Sequence, residues 1–248
     1  MIRIAAAGDL HFGPGSEGSF RPHLERLPDH ADALLLAGDL TKSGSPEEAA
    51  VLAEELAHPP VPIVAVLGNH DYHSDRQEEV ANQLGQSGIT VLEGDATVLE
   101  FPGGTLGVMG VKGFGGGFTG ASGSDFGEPE MKAFVRHTKA LAGRLEEGLA
   151  ALEADVRVAL LHYAPIPETL RGEPLEIYPF LGSYLLAEAI DRAGADLVLH
   201  GHAHRGVEKG VTPGGIHVRN VALPVIGAAY RVYRFAGEGA RRPAEAAS

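Results

Sequence analysis

Residues 63–71 read IVAVLGNHD, five apolar residues that lead directly into a glycine and three polar side chains. A short aliphatic run bounded by turn residues predicts a buried strand. This strand would end at Asn69, His70 and Asp71, residue types that can bind a metal ion. Ligands of open α/β sheets bind outside the carboxyl ends of the strands, so the stretch predicts one part of an active site.

Four other segments repeat this arrangement along the chain. Apolar runs that predict buried strands lie at 2–7, 33–37, 156–161 and 197–199, with a further run at 106–111. The polar residues that follow the first four runs are Asp9, His11, Asp39, His162, His200, His202 and His204. Because these strands deliver such residues at the same end, we expect the side chains to meet in one small volume. Carboxylate, imidazole and amide ligands suit a pair of divalent first-row metal ions.

Helical patterns separate several of the predicted strands. The residues Ser45-Pro46-Glu47-Glu48 form a capping box with proline at the first helical position, which predicts a helix to about residue 57. Further helices are predicted over 74–86, where a second capping box lies at the start, over 128–152, where two glycines weaken the pattern, and over 183–193. Strands that alternate with helices indicate an α/β fold with layered sheets.

The end of the chain differs in character from the rest. Residues 206–235 have hairpin-like segments, with Pro213-Gly214-Gly215 as a predicted turn. No linker divides the preceding sequence, so we predict a single domain over 1–235. Residues 236–248 are mostly Ala, Gly, Arg and Glu without periodicity, which predicts a flexible C-terminal tail.

Composition excludes several classes of function. The 248 residues include no cysteine, which excludes disulfides, thiolate zinc sites and cysteine nucleophiles. The net charge of −13 and the lack of a basic stripe argue against long nucleic acid as the primary partner. No apolar stretch approaches the ~18 residues of a membrane span, so a cytoplasmic location is expected. A small phosphorylated substrate is compatible with the charge, because bound cations reverse the local field.

The order of the polar motifs resembles that of the calcineurin-like metallophosphoesterases. The motifs are Asp9-x-His11, Gly38-Asp39, Gly68-Asn69-His70-Asp71, His162 and Gly201-His202-x-His204. The resemblance implies a four-layer αββα sandwich with two mixed β-sheets and a two-metal site at the sheet ends. It also implies hydrolysis of a phosphate ester by a metal-bridging hydroxide. A small phosphodiester or phosphomonoester is expected as substrate, and a cyclic nucleotide is one family substrate that fits the length of the chain.

The resemblance also implies a role for each motif residue. One ion would be bound by Asp9, His11, Asp39 and His204, and the other by Asp39, Asn69, His162 and His202. The ions would be manganese, iron or zinc, in divalent or trivalent form. The catalytic residues would be His70, which would contact the phosphate or the leaving group, and Asp71, which would orient the His70 ring. The roles of His200 and His73 are left open.

Two alternative functions compete with phosphoester hydrolysis of a small substrate. The first is a nuclease, against which the acidic charge argues. The second is a non-catalytic, protein-binding scaffold of the same fold, against which the presence of every ligand together with His70 argues. Substrate specificity is expected to lie in the loops at 112–126 and 165–180. Phe114 and Phe118 of the first loop are available to contact an apolar group of the substrate.

Overall fold

Two six-stranded mixed sheets form the centre of the computed structural model, which describes residues 1–236 and 244–245. The strands, in chain order, are β1 (Ile2–Ala7), β2 (Ala33–Ala37), β3 (Ile63–Val66), β4 (Ile89–Val91), β5 (Asp95–Phe101), β6 (Gly104–Val111), β7 (Gly117–Phe118), β8 (Ala121–Ser122), β9 (Val156–Leu161), β10 (Leu197–His200), β11 (Lys209–Val211), β12 (His217–Asn220), β13 (Arg231–Phe235) and β14 (Ala244–Glu245). The first sheet has the order β14-β13-β1-β2-β3-β4, and the second has the order β11-β12-β10-β9-β6-β5.

Parallel pairing brings the carboxyl ends of the central strands to one edge. Strands β1 to β4 are parallel to one another, as are β6, β9, β10 and β12. The two sheets are also bonded to each other at this edge, because the Gly8 amide donates to the Val221 carbonyl at 2.8 Å and the Val221 amide donates to the His200 carbonyl at 2.7 Å. The segments after β1, β2, β3, β9 and β10 therefore lie together.

Helices cover the outer face of each sheet. They are α1 (Arg21–Glu25), α2 (Leu27–His30), α3 (Pro46–Glu55), α4 (Gln77–Gln86), α5 (Pro129–Ala151), α6 (Tyr178–Leu181), α7 (Tyr184–Ala193) and α8 (Leu223–Ile226). Short 3₁₀ helices span His70–Tyr72, Pro167–Leu170 and Leu175–Ile177. No helix among the described residues has the length and apolar character that a bilayer crossing requires.

Three buried apolar layers hold the sandwich together. In β2, Leu34 and Leu36 pack against the helices of the first sheet, while Leu35 packs against the second sheet. All three are fully buried, because successive side chains of a strand point to opposite faces and both faces are covered. The third layer packs β6, β9 and β10 against α5 and α7. The expected four-layer αββα sandwich with two mixed sheets is confirmed.

Most predicted elements are present, and their ends differ for local reasons. Helix α3 begins as predicted, with the Ser45 side chain accepting from the Glu48 amide at 3.2 Å. Helix α4 begins at Gln77 rather than Ser74, whose hydroxyl donates to the Gly44 carbonyl. Strand β5, an edge strand with no fully buried residue, is not predicted by its sequence pattern. Of the predicted tail at 236–248, the structure describes residue 236 and β14, which pairs with β13; the rest lies outside the described residues.

The two glycines of α5 do not interrupt the helix, and only one of them is packed. A Cβ at Gly148 would lie 2.3 Å from Met109 Sδ, whereas a Cβ at Gly143 would meet nothing within 4 Å. Gly148 therefore allows the helix to approach β6 closely. Gly143 is a position where packing does not require glycine.

We expect alanine to be tolerated differently at these two glycines. Both substitutions gain helix propensity, but Gly148→Ala also overpacks the core against Met109, so its free energy of unfolding should be about 1–3 kcal/mol lower than that of Gly143→Ala. Gly143→Ala should raise the free energy of unfolding by roughly 0.5–1 kcal/mol through helix propensity alone. Denaturant unfolding of both variants measures the difference. Equal shifts of the same sign would contradict the packing account.

Candidate metal centre

The predicted ligands meet in two groups at the edge where the parallel strands end. The first ligand group consists of Asp9, His11, Asp39 and His204, and the second consists of Asp39, His162 and His202. Within each group, one potential ligand atom per residue lies within 4.8 Å of every other. Asp39 is common to both groups and is buried. The structure thus brings together side chains that are separated by up to 195 positions in the sequence.

Short contacts define the first ligand group. His204 Nε2 lies 2.9 Å from Asp9 Oδ1 and 3.4 Å from His11 Nε2. His11 Nε2 lies 3.9 Å from Asp39 Oδ2. Two imidazole nitrogens and two carboxylate oxygens therefore face a common point, which is the donor set of a first-row metal site.

The second ligand group contains lone pairs that face one another without a proton between them. His162 Nδ1 donates to the Ala37 carbonyl at 2.9 Å, so a neutral ring presents a lone pair at Nε2. This nitrogen lies 2.9 Å from Asn69 Oδ1 and 3.3 Å from Asp39 Oδ1, and both oxygens are acceptors. Metal–ligand bonds of about 2.1 Å put neighbouring ligands about 3 Å apart in an octahedral arrangement. The residues therefore fit a bound cation, which would satisfy all three lone pairs.

Burial determines the protonation of the site. It lowers the pKa of His162 well below its ordinary value and that of His202 to about 3, so both rings are neutral and have a lone pair available for a cation. Burial also raises the pKa of Asp9 to about 6, although the hydrogen bond from His204 opposes the shift. The same hydrogen bond raises the pKa of His204. A cation at the site would stabilise the ionised carboxylate of Asp9, which burial disfavours.

Strained backbone conformations concentrate at the ligands. Among the described residues, six non-glycine residues have positive φ, and four of them are Asp9 (58°), His11 (47°), Asp39 (49°) and His202 (69°). Backbone hydrogen bonds maintain two of these strained conformations. The Asp9 amide donates to the Gly38 carbonyl at 2.9 Å, and the His11 amide donates to the Asp39 carbonyl at 3.0 Å. Such outliers are typical of functional sites, where the surroundings impose them.

Glycine is required where two motif segments approach the ligands. A Cβ at Gly68 would lie 2.1 Å from Asp39 Oδ1, and a Cβ at Gly201 would lie 2.3 Å from Asp9 Oδ2. Neither position has room for a side chain, so the glycines of these two motifs allow the backbone to approach the carboxylates directly.

His70 lies at the rim of the site with one ring nitrogen directed towards it. Its Nδ1 lies 2.6 Å from the Lys42 carbonyl and donates to it, which leaves Nε2 3.9 Å from Asp39 Oδ2. The His70 amide also donates to Asp39 Oδ1 at 2.8 Å. The side chain is 45% exposed, so a ligand of the site can reach Nε2.

Asp71 does not orient the His70 ring, and this part of the sequence prediction is corrected by the structure. Both carboxylate oxygens are already used: Oδ1 accepts from the amide and hydroxyl of Thr41, at 2.8 and 2.6 Å, and Oδ2 accepts from the amides of Leu40 and Gly68, at 3.1 and 2.8 Å. Burial raises the pKa of Asp71 to about 6 despite these bonds. Asp71 therefore joins the segment after β2 to the segment after β3 through hydrogen bonds. The group that orients the His70 ring is the Lys42 carbonyl.

The two histidines whose roles were open lie outside the ligand groups. His200 is fully buried; its Nδ1 donates to the Gly201 carbonyl at 2.8 Å, and its Nε2 accepts from the Thr169 hydroxyl at 2.9 Å. Burial lowers its pKa to about 4, so it is a neutral, structural residue. His73 is exposed and ends the 3₁₀ turn that begins at His70.

Sequence reasoning did not identify the groups that orient the site histidines. The carbonyl oxygens of Ala37, Lys42 and Phe180 contact the outward nitrogens of His162, His70 and His202. Partners of this kind select the ring nitrogen that faces a metal. Every residue has a carbonyl, so no sequence signal marks these three.

Comparisons with known proteins agree with the geometry. The sequence model of the family described as calcineurin-like phosphoesterase matches residues 2–206. No curated protein sequence matches the chain significantly. Among solved structures, the phosphopantetheinyl hydrolase of Mycobacterium tuberculosis is 18% identical, with 88% of each chain covered and a TM-score of 0.63. The protein TT1561 of Thermus thermophilus is 22% identical, with 88% of each chain covered and a TM-score of 0.55.

A third solved structure extends beyond the chain. The putative 5'-nucleotidase of Staphylococcus aureus is 14% identical with a TM-score of 0.58; the match covers 98% of this chain but 53% of that one. These identities show a shared fold, whereas the sequence match over residues 2–206 shows the family. The protein therefore belongs to the calcineurin-like phosphoesterases, a family of metal-dependent hydrolases of phosphate esters.

Proposed function

We propose that the protein hydrolyses a small phosphodiester or phosphomonoester with two metal ions held side by side by the two ligand groups. The observation that carries this proposal is the position of Asp39. Its Oδ2 faces His11 of the first group at 3.9 Å, and its Oδ1 faces His162 of the second at 3.3 Å. One buried carboxylate with an oxygen directed at each group is the ligand that two adjacent cations require.

The proposed ligands of one ion are Asp9, His11, Asp39 and His204, and those of the other are Asp39, Asn69, His162 and His202. Two divalent ions against the carboxylates of Asp9 and Asp39 leave a charge of about +2, which attracts phosphate to a protein of net charge −13. The bound ions would supply a water of lowered pKa as the nucleophile and positive charge for the phosphoryl oxygens.

His70 acts on the substrate from the rim of the site. The Lys42 carbonyl holds Nδ1–H, so the ring has a fixed orientation and Nε2 faces the phosphoryl position. In the protonated ring, Nε2–H donates a hydrogen bond to a phosphate oxygen or a proton to the leaving oxygen. Asp71 contributes by positioning, since it holds the segment that carries both Asn69 and His70.

The names of two structural neighbours support a small phosphorylated substrate. One is a phosphopantetheinyl hydrolase and another is a putative 5'-nucleotidase. The acidic surface also disfavours a long polyanion. A cyclic nucleotide is one phosphodiester that fits this description.

We expect the manganese-loaded protein to hydrolyse bis-p-nitrophenyl phosphate or p-nitrophenyl phosphate, and to lose the activity on chelation because the nucleophile depends on the metal. Release of p-nitrophenol measures turnover, and the ratio between the two esters separates a diesterase from a monoesterase. No turnover of either ester with manganese, iron or zinc would refute the proposed hydrolysis.

Asp39→Asn should reduce metal occupancy below two ions per chain, because the variant lacks the negative charge shared by both groups. Elemental analysis after metal loading and dialysis measures the ratio of metal to protein. Asp95→Asn, which removes an exposed carboxylate from the edge strand β5, serves as the matched control and should retain the occupancy of the wild type. Full occupancy in Asp39→Asn would rule out the shared ligand.

His70→Ala should keep its metals and lose turnover by roughly 10²-fold or more, the usual scale for removal of a general acid–base group. The matched control is His73→Ala, which removes an exposed histidine three residues further along the chain. Steady-state kinetics and elemental analysis on the same preparations test both variants. If His70→Ala turned over as fast as His73→Ala, the catalytic role of His70 would be excluded.

A further inference from the structure

A pocket of about 460 Å³ lies directly beside the second ligand group. We call it the Lys112 pocket, and its lining includes Asn69, Tyr72, Glu93, Lys112, Arg144 and Tyr163. Asn69 is also a proposed metal ligand, so the pocket and the metal centre share a wall. The Lys112 carbonyl accepts from the amides of His162 and Tyr163, both at 3.0 Å. These bonds hold Lys112 next to the segment after β9, which carries the candidate ligand His162.

The ammonium group of Lys112 is held in place by aromatic rings. Its Nζ lies 4.6 Å from the ring centroid of Tyr72, 5.1 Å from that of Phe114 and 5.3 Å from that of Tyr163. Cation–π contacts position the charge without neutralising it. Burial lowers the pKa of Lys112, while the nearby carboxylates of Glu93 and Asp39 oppose the shift. Among the described residues, no carboxylate forms an ion pair with Lys112 within 4.0 Å.

The opposite side of the pocket adds a second cation and an unused acceptor. Arg144 extends from α5 across Gly94 and, within the part of the chain that the structure describes, has no ion-pair partner. Glu93 accepts from the Tyr72 hydroxyl with Oε2, and the Leu67 amide also favours its ionised form. Its buried Oε1 keeps acceptor capacity that a donor group of a bound molecule, or water, can use. The pocket thus presents two cations, aromatic surface and one acceptor.

We propose that the Lys112 pocket binds the part of the substrate beyond the scissile phosphoryl group, and that this part carries a second phosphate contacted by Lys112 and Arg144. The inference rests on the proposed function, which places the scissile group at the metal centre. Because no described carboxylate lies within ion-pair distance of Lys112, a phosphate of the remainder would be its direct counter-ion, which a neutral remainder would not supply. Glu93 accepts a hydrogen bond from a hydroxyl or amino group of the same remainder, and the aromatic rings contact its apolar surface. The substrate class is therefore an organic phosphate with a second phosphate next to a polar ring or sugar.

The test compares the binding of two probes, neither of which has a phosphoanhydride bond that the enzyme could cleave. Adenosine 5'-(α,β-methylene)diphosphate has a second phosphate and a nucleoside, whereas orthophosphate has neither. Isothermal titration of the manganese-loaded protein measures the Kd of each probe. Lys112→Met should raise the Kd of the nucleotide probe by about tenfold or more and that of orthophosphate by less than about twofold, since only the nucleotide reaches the pocket.

Two further variants keep the test decisive. Arg144→Gln changes an exposed residue and should raise the Kd of the nucleotide probe but not that of orthophosphate. This variant tests the pocket even if Lys112→Met proves unstable. Lys139→Gln, the matched control, removes an exposed lysine of the same helix that pairs with Asp125 at 3.6 Å. It should leave both Kd values unchanged. Equal effects of Lys112→Met on both probes, or no effect of either pocket variant, would overturn the proposal.

Hydrolysis of bis-p-nitrophenyl phosphate by the wild-type preparation separates the two proposals. Hydrolysis together with nucleotide binding that does not depend on Lys112 or Arg144 overturns the pocket inference alone. Selective nucleotide binding without hydrolysis of any ester supports the pocket and refutes the proposed reaction.

Discussion

A shared, buried carboxylate at Asp39 is the constraint around which the protein is organised. Its two oxygens face histidines from different sheets, and its neighbours include further oxygen and nitrogen lone pairs. Acceptors packed this closely repel one another in the absence of a cation. The fold therefore has to hold them against their electrostatic preference. Two mixed sheets whose parallel central strands end at one edge provide a rigid support from both sides.

The cost of this arrangement is visible in the backbone. Four predicted ligands have left-handed φ values, a conformation that costs about 1–3 kcal/mol for each non-glycine residue. Buried hydrogen bonds compensate, and Asp71 is the clearest example because its carboxylate accepts four of them from the segments after β2 and β3. The sheet-to-sheet bonds through Val221 act in the same way at the other end of the site. Stability and site geometry thus depend on the same few contacts.

The proposed site offers a way for an acidic protein to select an anionic substrate. The candidate ligands would concentrate cations at one point, and the Lys112 pocket would continue the positive region along the sheet edge. Aromatic rings around Lys112 keep its charge available, because they stabilise the ammonium group without pairing it with a carboxylate. The net charge of the chain therefore says little about the field that a substrate meets.

The amino-acid sequence alone determined the α/β class, the six principal strands and the full set of candidate ligands. These features depend on local patterns: aliphatic runs, capping residues and polar residues at strand ends. Edge strand β5 escaped prediction because its exposed residues lack the apolar pattern of a buried strand. The glycines of α5, which predicted a weakened helix, do not break it, and Gly148 lies where the helix packs closely against Met109 of β6. Only the tertiary structure decided that Asp71 is a structural tie, that the Lys42 carbonyl orients His70, and that Lys112 lies in an aromatic pocket. Each of these depends on contacts between segments distant in the chain, and no local pattern encodes which backbone carbonyl or ring will meet a given side chain.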